Sequence, residues 1–296
     1  MHVKLGLSIN DFAWPVPPER LGPLLTEIAQ AAEAAGFDAI AVMDHVWGHT
    51  YGGGGPEDPV LECYSSLAFL AAHTSRAKLL ALATPVSYRF PGMLAKTVTT
   101  LDVLSGGRAW LGIGVGDYEE EARGLGIPYP PLADRYRLLE ETVHVCLRMW
   151  SGDHGDAHPY RGEYVQLERS LNSPQSLSRP HPPILIAGSG ERRTLPLVAR
   201  YADACNLRPG PEVPRQLEVL RRYSETEGRD YDAILKTCPY FFDVGENGAG
   251  AATLIDQLWS FAEMGIEMVF GRVVGDVRIA PIEIMGREVI PAVADF

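Results

Sequence analysis

Short apolar runs alternate with stretches of helical periodicity along the whole chain. The apolar runs predict strands over residues 4–10, 38–43, 78–84, 108–115, 183–187, 203–207, 234–244 and 266–274. Between them, apolar side chains recur at the spacing of one helix face. This spacing predicts helices over 20–35, 62–74, 92–104, 133–150, 191–201, 214–226, 253–264 and 281–292. The pattern therefore predicts eight strands, each followed by a helix.

The predicted strands are apolar throughout rather than alternating, as expected for a parallel sheet that is covered on both faces. Eight such units favour an α/β fold of the TIM-barrel type, (β/α)₈, over residues 1–296 as a single domain. A doubly wound open sheet is the alternative, because periodicity alone does not show closure. Two long connections, about 44–61 and 151–182, are predicted to be insertions at the C-terminal face, the second with a hairpin around 160–167. Pro196 should bend its helix or delay its start.

Composition narrows the class of protein. Apolar residues make up 46% of the chain and charged residues 22%, which is ordinary for a folded domain. The net charge is -12, which disfavours nucleic acid as a partner. No apolar run approaches the roughly 20 residues that span a bilayer, and no signal peptide is visible. We therefore expect a cytoplasmic protein without a membrane partner, its four cysteines reduced and in the core.

Candidate chemistry lies where strands end, because a barrel places its reacting groups there. Asp44 and His45 follow the second predicted strand and form a plausible acid/base pair. A loop pair that makes ordinary hydrogen bonds is the alternative. The first strand lacks a His-x-His pair, and the remaining histidines have no metal-ligand spacing. We therefore predict no metal site.

Two glycine-rich segments also follow strands. The turn 188–194, Gly-Ser-Gly-Glu-Arg-Arg-Thr, opens a helix, where free amide groups and the helix dipole favour an anion. It predicts a phosphate site, with a plain helix start as the alternative. Gly112, Gly114 and Gly116 do not form a dinucleotide fingerprint. We expect them to let a flat group approach the backbone closely.

These residues together resemble the luciferase-like monooxygenase superfamily, and most closely its branch that uses the deazaflavin coenzyme F420. The matching stretches are GFDAIAVMDH, TPVSYRFPGMLAKTVTTLDVLSGGRAWLGIGVG, RYRLLEETVHVCLRMW and PPILIAGSGERRTLPLVARYADACN. The resemblance implies a (β/α)₈ barrel with the cofactor ring across the strand ends. It also implies that the cofactor phosphate lies in the turn after strand five, and that the protein is a homodimer.

The resemblance further implies roles for particular residues. The residues that it places against the cofactor are Asp44, Thr84, Glu120, Gly190, Glu191, Arg193 and Thr194. His45 matches a histidine that acts beside the reactive ring carbon. Ala81 and Leu82 are expected to flank a non-prolyl cis bond that supports the ring. Asp117 stands where one group of relatives has a second acid/base carboxylate and many members have an aromatic side chain.

The function implied is hydride transfer between F420 and a small organic substrate, with His45 moving the companion proton. An FMN-dependent monooxygenase is the alternative within the family. A barrel isomerase or lyase for a phosphorylated metabolite, and a cofactor-binding protein without turnover, are alternatives of other classes. Aromatic side chains around the barrel mouth could line a substrate site or only pack the loops, and they are Trp14, Trp47, Tyr51 and Tyr88.

Overall fold

Eight parallel strands close into a barrel in the computed structural model, which describes residues 3–49, 54–275 and 279–294. The strands are β1 (Lys4–Ile9), β2 (Ala39–Val42), β3 (Lys78–Ala81), β4 (Ala109–Gly114), β5 (Ile184–Ala187), β6 (Ala204–Asn206), β7 (Leu235–Phe242) and β8 (Met268–Val273). Each pairs with its neighbours in chain order, and β8 returns to β1. Pairing of Ile184 with Leu111 joins β5 to β4 and completes the ring. The closed barrel is confirmed and the open sheet is excluded.

Helices follow the strands on the outside of the barrel. They are α1 (Leu21–Ala35), α2 (Cys63–His73), α3 (Pro91–Ser105), α4 (Glu119–Gly124), α5 (Leu132–Met149), α6 (Thr194–Tyr201), α7 (Val213–Thr226), α8 (Ala251–Glu263), α9 (Ile279–Ile284) and α10 (Ile290–Ala294). Pro196 delays α6 as expected, so that the helix begins at Thr194 and the proline falls in its first turn, where no intrahelical N–H bond is needed. The helix predicted over 281–292 is divided, because a π-helical turn, Met285–Val289, separates α9 from α10.

Two apolar layers hold the barrel together. A small cluster fills its interior and consists of Ala39, Ala41, Leu80, Leu185, Ala204, Met268 and Phe270. A much larger cluster lies between the strands and the helices. The four cysteines are reduced and buried, as expected.

Gly112 corrects one expectation. A Cβ atom at this position would lie 1.9 Å from the carbonyl oxygen of Ala81. The missing side chain therefore lets β4 approach β3, not a flat ligand. At Gly114, in contrast, a Cβ atom would meet Ala187 at 3.6 Å or more, which is an ordinary van der Waals contact.

The two long connections differ in content. The second contains the predicted hairpin, in which Tyr160–Arg161 pairs antiparallel with Gln166–Leu167, and a further pair joins Gly155–Asp156 to Ser170–Leu171. The first runs from the end of β2 to α2, and its residues 50–53, including Tyr51, lie outside the described residues. Among the helices described, none is long and apolar enough to cross a membrane.

Candidate active site

Asp44 and His45 lie together at the end of β2, but each has its own partner. Asp44 is fully buried and accepts hydrogen bonds from both terminal nitrogens of Arg89, at 2.5 and 3.0 Å. Arg89 also reaches Glu62 at the start of α2, at 2.5 Å. Burial lowers the pKa of Arg89, but the charge of Asp44 and its hydrogen bond raise this pKa by more, so the guanidinium stays ionised. Asp44 therefore pairs with Arg89 and not with His45, and an acid/base role for the two residues stays a prediction.

His45 is paired instead with Glu121, 76 residues further along the chain. Nδ1 of His45 lies 2.6 Å from a carboxylate oxygen of Glu121, and both side chains are buried. The same carboxylate accepts the hydroxyl of Tyr88 and the backbone N–H groups of Val46 and Trp47, the last two at 2.6 and 2.8 Å. Glu121 thus fixes the loop after β2 as well as the imidazole.

The backbone N–H groups of Val46 and Trp47 make the carboxylate of Glu121 an acceptor in this cluster. Burial raises the pKa of Glu121, but hydrogen bonds from His45, Tyr88 and the Trp47 N–H lower it more, so the net pKa lies below the ordinary 4.5. The carboxylate is therefore an acceptor, and Nδ1 of His45 donates to it. Nε2 is left as the nitrogen that can exchange a proton with a substrate.

Packing holds this loop against α4, the helix that carries Glu121. The ring of Trp47 lies so close to Gly124 that a Cβ atom there would be 2.0 Å from it. Around His45, the ring of His49 stacks at 4.8 Å between centroids, and Tyr118 meets both imidazoles edge-on. Burial and the charge of His45 lower the pKa of His49, whereas the charge of Asp117 opposes this. His49 is thus held towards its neutral form, and Asp117 lies near the same cluster.

Thr84 follows β3 and contacts Tyr64 of α2. Thr84 is fully buried, and its hydroxyl bonds to the hydroxyl of Tyr64 at 2.9 Å. The cis bond joins Leu82 to Ala83, not Ala81 to Leu82 as predicted. The Leu82 N–H still donates to Val42 in the parallel ladder, at 2.9 Å, so β3 stays regular through that peptide and departs from it one residue later.

The turn after β5 contains backbone N–H groups that have no hydrogen-bond partner among the described residues. In the part of the chain that the structure describes, the amide N–H groups of Gly190, Glu191 and Arg192 make no hydrogen bond. The carboxylate of Glu191 is turned away to Arg215, at 2.8 Å, and the hydroxyl of Thr194 meets that of Tyr136 at 2.9 Å. The arrangement is a set of amides at a helix start, which suits an anion.

One further observation bears on a bound ligand. The Ser87 hydroxyl oxygen is buried and lacks a hydrogen-bond partner among the described residues. An orphaned buried hydroxyl in a native structure calls for a partner, and a bound ligand can supply it.

Sequence reasoning missed Glu121, Arg89 and Ser87. Glu120, the predicted contact of the ribityl chain, is exposed, and its neighbour Glu121 is the buried carboxylate. Arg89 follows β3 as Asp44 follows the adjacent β2, so their pairing was open to prediction from strand order. Groups of three or more residues that could hold a metal ion are not found over the ranges that the structure describes.

Comparisons with known proteins agree with this geometry. Residues 10–278 match a family described as luciferase-like monooxygenase. The chain is 32% identical over 250 residues to the F420-dependent glucose-6-phosphate dehydrogenase of Mycolicibacterium fortuitum, a match that covers 79% of this chain and 66% of that protein. It is 30% identical over 234 residues to the enzyme of the same name from Tsukamurella paurometabola, covering 74% and 64%. The match thus spans just under two thirds of the length of these relatives.

One solved structure extends the comparison to the fold. An F420-dependent secondary alcohol dehydrogenase in complex with an F420-acetone adduct superposes over 99% of both chains, with a TM-score of 0.82 and 17% identity. This likeness shows that the two proteins share the barrel.

Proposed function

Because the chain belongs to the luciferase-like monooxygenase family, we propose that it is an F420-dependent oxidoreductase that interconverts an alcohol and a carbonyl compound. The observation that carries the proposal is the His45–Glu121 pair at the barrel mouth, a buried acid/base group beside the strand ends. The relatives named above, which act as dehydrogenases, support the choice of substrate class. The unpartnered Ser87 hydroxyl and the free amide N–H groups of the turn after β5 support the choice of cofactor.

His45 moves the proton in this proposal. F420, when bound, exchanges a hydride with a carbon atom and activates oxygen poorly. Loss of hydride from an alcohol carbon requires that the hydroxyl lose a proton, and Nε2 of His45 takes it. The anionic Glu121 stabilises the imidazolium that results and keeps the ring oriented. In the reverse direction the same nitrogen returns the proton to the oxygen of the carbonyl compound.

Other residues bind and orient. We propose that the amides of Gly190 and Glu191, together with Arg193 and Thr194, hold the cofactor phosphate, as the open donors of the turn allow. Ser87 is an additional candidate for a hydrogen bond to the ring edge. Contacts of Asp44, Leu82, Thr84 and Glu120 with the cofactor stay predictions. The homodimer, the single domain over 1–296 and the cytoplasmic location stay predictions as well.

Equilibrium titration with F420 and with FMN, followed by fluorescence, tests the cofactor. We expect F420 to bind at least about tenfold more tightly than FMN, a difference of about 1.4 kcal/mol. The loss of oxidised F420 is then followed with a panel of secondary alcohols and with glucose 6-phosphate. Tighter binding of FMN would instead support the monooxygenase alternative, and binding of neither would remove the proposal.

A further inference from the structure

The last residues of β7 place apolar side chains inside the barrel. On this strand, Tyr240 packs against Phe261 of α8, and Phe242 is fully buried in the cluster between strands and helices. Both are therefore directed outwards. Because successive side chains of a strand point to opposite faces, Pro239 and Phe241 are directed inwards, towards the mouth at the strand ends.

The neighbouring strand β8 extends this inner surface. Phe270 belongs to the cluster that fills the barrel interior, so Arg272 and Val274 continue the same face towards the mouth. The register of the two strands sets Arg272 beside Phe241. The N–H of Val274 donates to the carbonyl of Phe242 at 3.1 Å, so the pairing continues to this residue.

Pro239, Phe241 and Val274 form what we call the apolar wall, and all three are exposed although they face the inside of the barrel. Phe241 is 55% exposed and Val274 is 41% exposed, and Pro239 is exposed as well. Neighbouring apolar side chains that stay in contact with water mark a binding surface. At the carboxyl ends of barrel strands, the group that such a surface binds is the substrate.

Arg272 borders the apolar wall, and its charge is already matched. Its Nη2 lies 3.5 Å from a carboxylate oxygen of Asp11, and its side chain is only 22% exposed. A paired guanidinium attracts a further anion weakly, because the partner carboxylate offsets its charge. Its planar face can still lie against an aromatic ring, as can the ring of Phe241. This part of the mouth is therefore better suited to an aromatic group than to a phosphate.

We propose that the substrate is a secondary alcohol, or the matching ketone, that carries an aryl substituent, an inference that rests on the proposed function. The aryl ring lies against the apolar wall, where Phe241 offers it an offset or edge-on contact, and the hydroxyl-bearing carbon points towards His45. A sugar phosphate would instead bring hydroxyl and phosphate groups to the wall, where they would leave water without gaining a hydrogen-bond partner. The wall thus selects aryl alcohols over sugar phosphates.

Relative values of kcat/KM with F420 test the wall. The substrates are 1-phenylethanol, 1-cyclohexylethanol, propan-2-ol and glucose 6-phosphate. We expect 1-phenylethanol to exceed propan-2-ol and glucose 6-phosphate by at least about tenfold, since even one methylene in an apolar site changes kcat/KM by roughly 10–200-fold. It should exceed 1-cyclohexylethanol by about twofold to tenfold, the contribution of an aromatic pair.

Two variants of Phe241 separate apolar contact from aromatic contact. Phe241→Ala removes most of the wall and should reduce the preference for 1-phenylethanol over propan-2-ol by about tenfold. Phe241→Leu keeps an apolar side chain without a ring, so it should reduce chiefly the preference for 1-phenylethanol over 1-cyclohexylethanol.

Phe69→Ala is the matched control, because Phe69 is also a partly exposed phenylalanine but lies on α2, outside the barrel, against His73. It should keep every wild-type preference. A wild-type preference for propan-2-ol or glucose 6-phosphate, or a preference that Phe241→Ala leaves unchanged, would overturn the apolar wall while leaving F420 as the cofactor. Equal values for 1-phenylethanol and 1-cyclohexylethanol would overturn the aryl substituent. Failure to bind F420, or to turn over any of the four substrates, would overturn the proposed function itself.

Discussion

At the scale of the residue, His45 is the group on which turnover should depend. Its imidazole is held through Nδ1 by Glu121. An Asn side chain at this position can still donate a hydrogen bond to that carboxylate, but it has no ring nitrogen that exchanges a proton with the substrate. We expect His45→Asn to bind F420 with near-native affinity and to turn over at least about a hundredfold more slowly, since proton transfer contributes roughly 10²–10⁴-fold. Fluorescence titration and initial rates on one preparation measure both quantities.

His158→Asn is the control, because this imidazole is exposed and pairs only with Asp156. It should retain native turnover. A His45→Asn enzyme that binds weakly but keeps its rate at saturating cofactor would assign His45 to packing rather than to chemistry.

Glu121 should also make stability depend on pH. Its pKa is lowered in the fold, so its contribution is fully present above about pH 4.5 and is lost as pH falls through the lower folded value. We expect Glu121→Gln to reduce the free energy of unfolding by about 1–3 kcal/mol at pH 7, and by less as the pH falls below about 4.5. Urea denaturation of both proteins from pH 7 to pH 3 measures the difference.

The comparison variant is Glu119→Gln, in the same helix, whose exposed carboxylate pairs with Arg123. It should change stability by less than about 0.5 kcal/mol at any pH. A difference between wild type and Glu121→Gln that does not vary with pH would show that the carboxylate acts through its shape and not its charge.

The sequence predicted where Asp44 and His45 lie, but not which side chains they pair with. The apolar run before Asp44 and His45 was enough to place both at a strand end. Their partners follow other strands, since Arg89 follows the adjacent β3 and Glu121 follows β4. Within the run of three glutamates, the helical rotation between Glu120 and Glu121 decides which one is buried. Neither residue type nor spacing contains that information.

At the scale of the element, the turn after β5 should bind the phosphate of F420 through its backbone amide groups. Gly190→Asp would place a carboxylate beside the open amides, and its Cβ atom would lie 2.9 Å from the Thr194 hydroxyl oxygen. We expect the affinity for F420 to fall by at least about tenfold, or 1.4 kcal/mol, with the fold intact by circular dichroism. Fluorescence titration measures the affinity.

Gly22→Asp in α1 supplies the control, since it adds the same charge at a position where only Phe69 comes near, at 3.8 Å. Its affinity for F420 should match that of the wild type. A folded Gly190→Asp protein with unchanged affinity would assign the turn to helix initiation alone.

The close contact of β3 with β4 at Gly112 should make the free energy of unfolding sensitive to one added methyl group. Gly112→Ala would bring its Cβ atom to within 1.9 Å of the backbone oxygen of Ala81, which no rotamer change relieves. We expect a loss of about 1–3 kcal/mol or more in the free energy of unfolding, the cost of overpacking. Gly114→Ala on the same strand meets only Ala187 and should cost no more than about 1 kcal/mol. Equal losses in the two variants, measured by urea denaturation, would contradict this account.

At the scale of the whole molecule, the order of strands and helices was predictable because each strand is apolar on both faces and each helix on one. The eight predicted strands all exist, with ends displaced by a few residues. Closure was not predictable from periodicity, because it depends on the pairing of β4 with β5 across about 70 residues of chain that include the second long connection. The division of the last helix at a π turn likewise has no signal in the apolar pattern.

The whole molecule should also report cofactor binding through its thermal stability. The site draws on β2, β3, α4 and the turn after β5, so a ligand that binds only the closed barrel stabilises all of them together. At a concentration of 100 Kd such a ligand contributes about 2.7 kcal/mol. At roughly 2 °C per kcal/mol for a chain of this size, F420 should raise the melting temperature by about 5 °C.

FMN at the same concentration should raise the melting temperature by less than about half as much. His45→Asn should keep the full shift with F420 and Gly190→Asp should lose at least about half of it, because the first change removes a group that exchanges a proton and the second a binding turn. Differential scanning fluorimetry at one protein concentration measures all three proteins. A shift that His45→Asn abolishes and Gly190→Asp preserves would reverse the roles assigned to the two ends of the site.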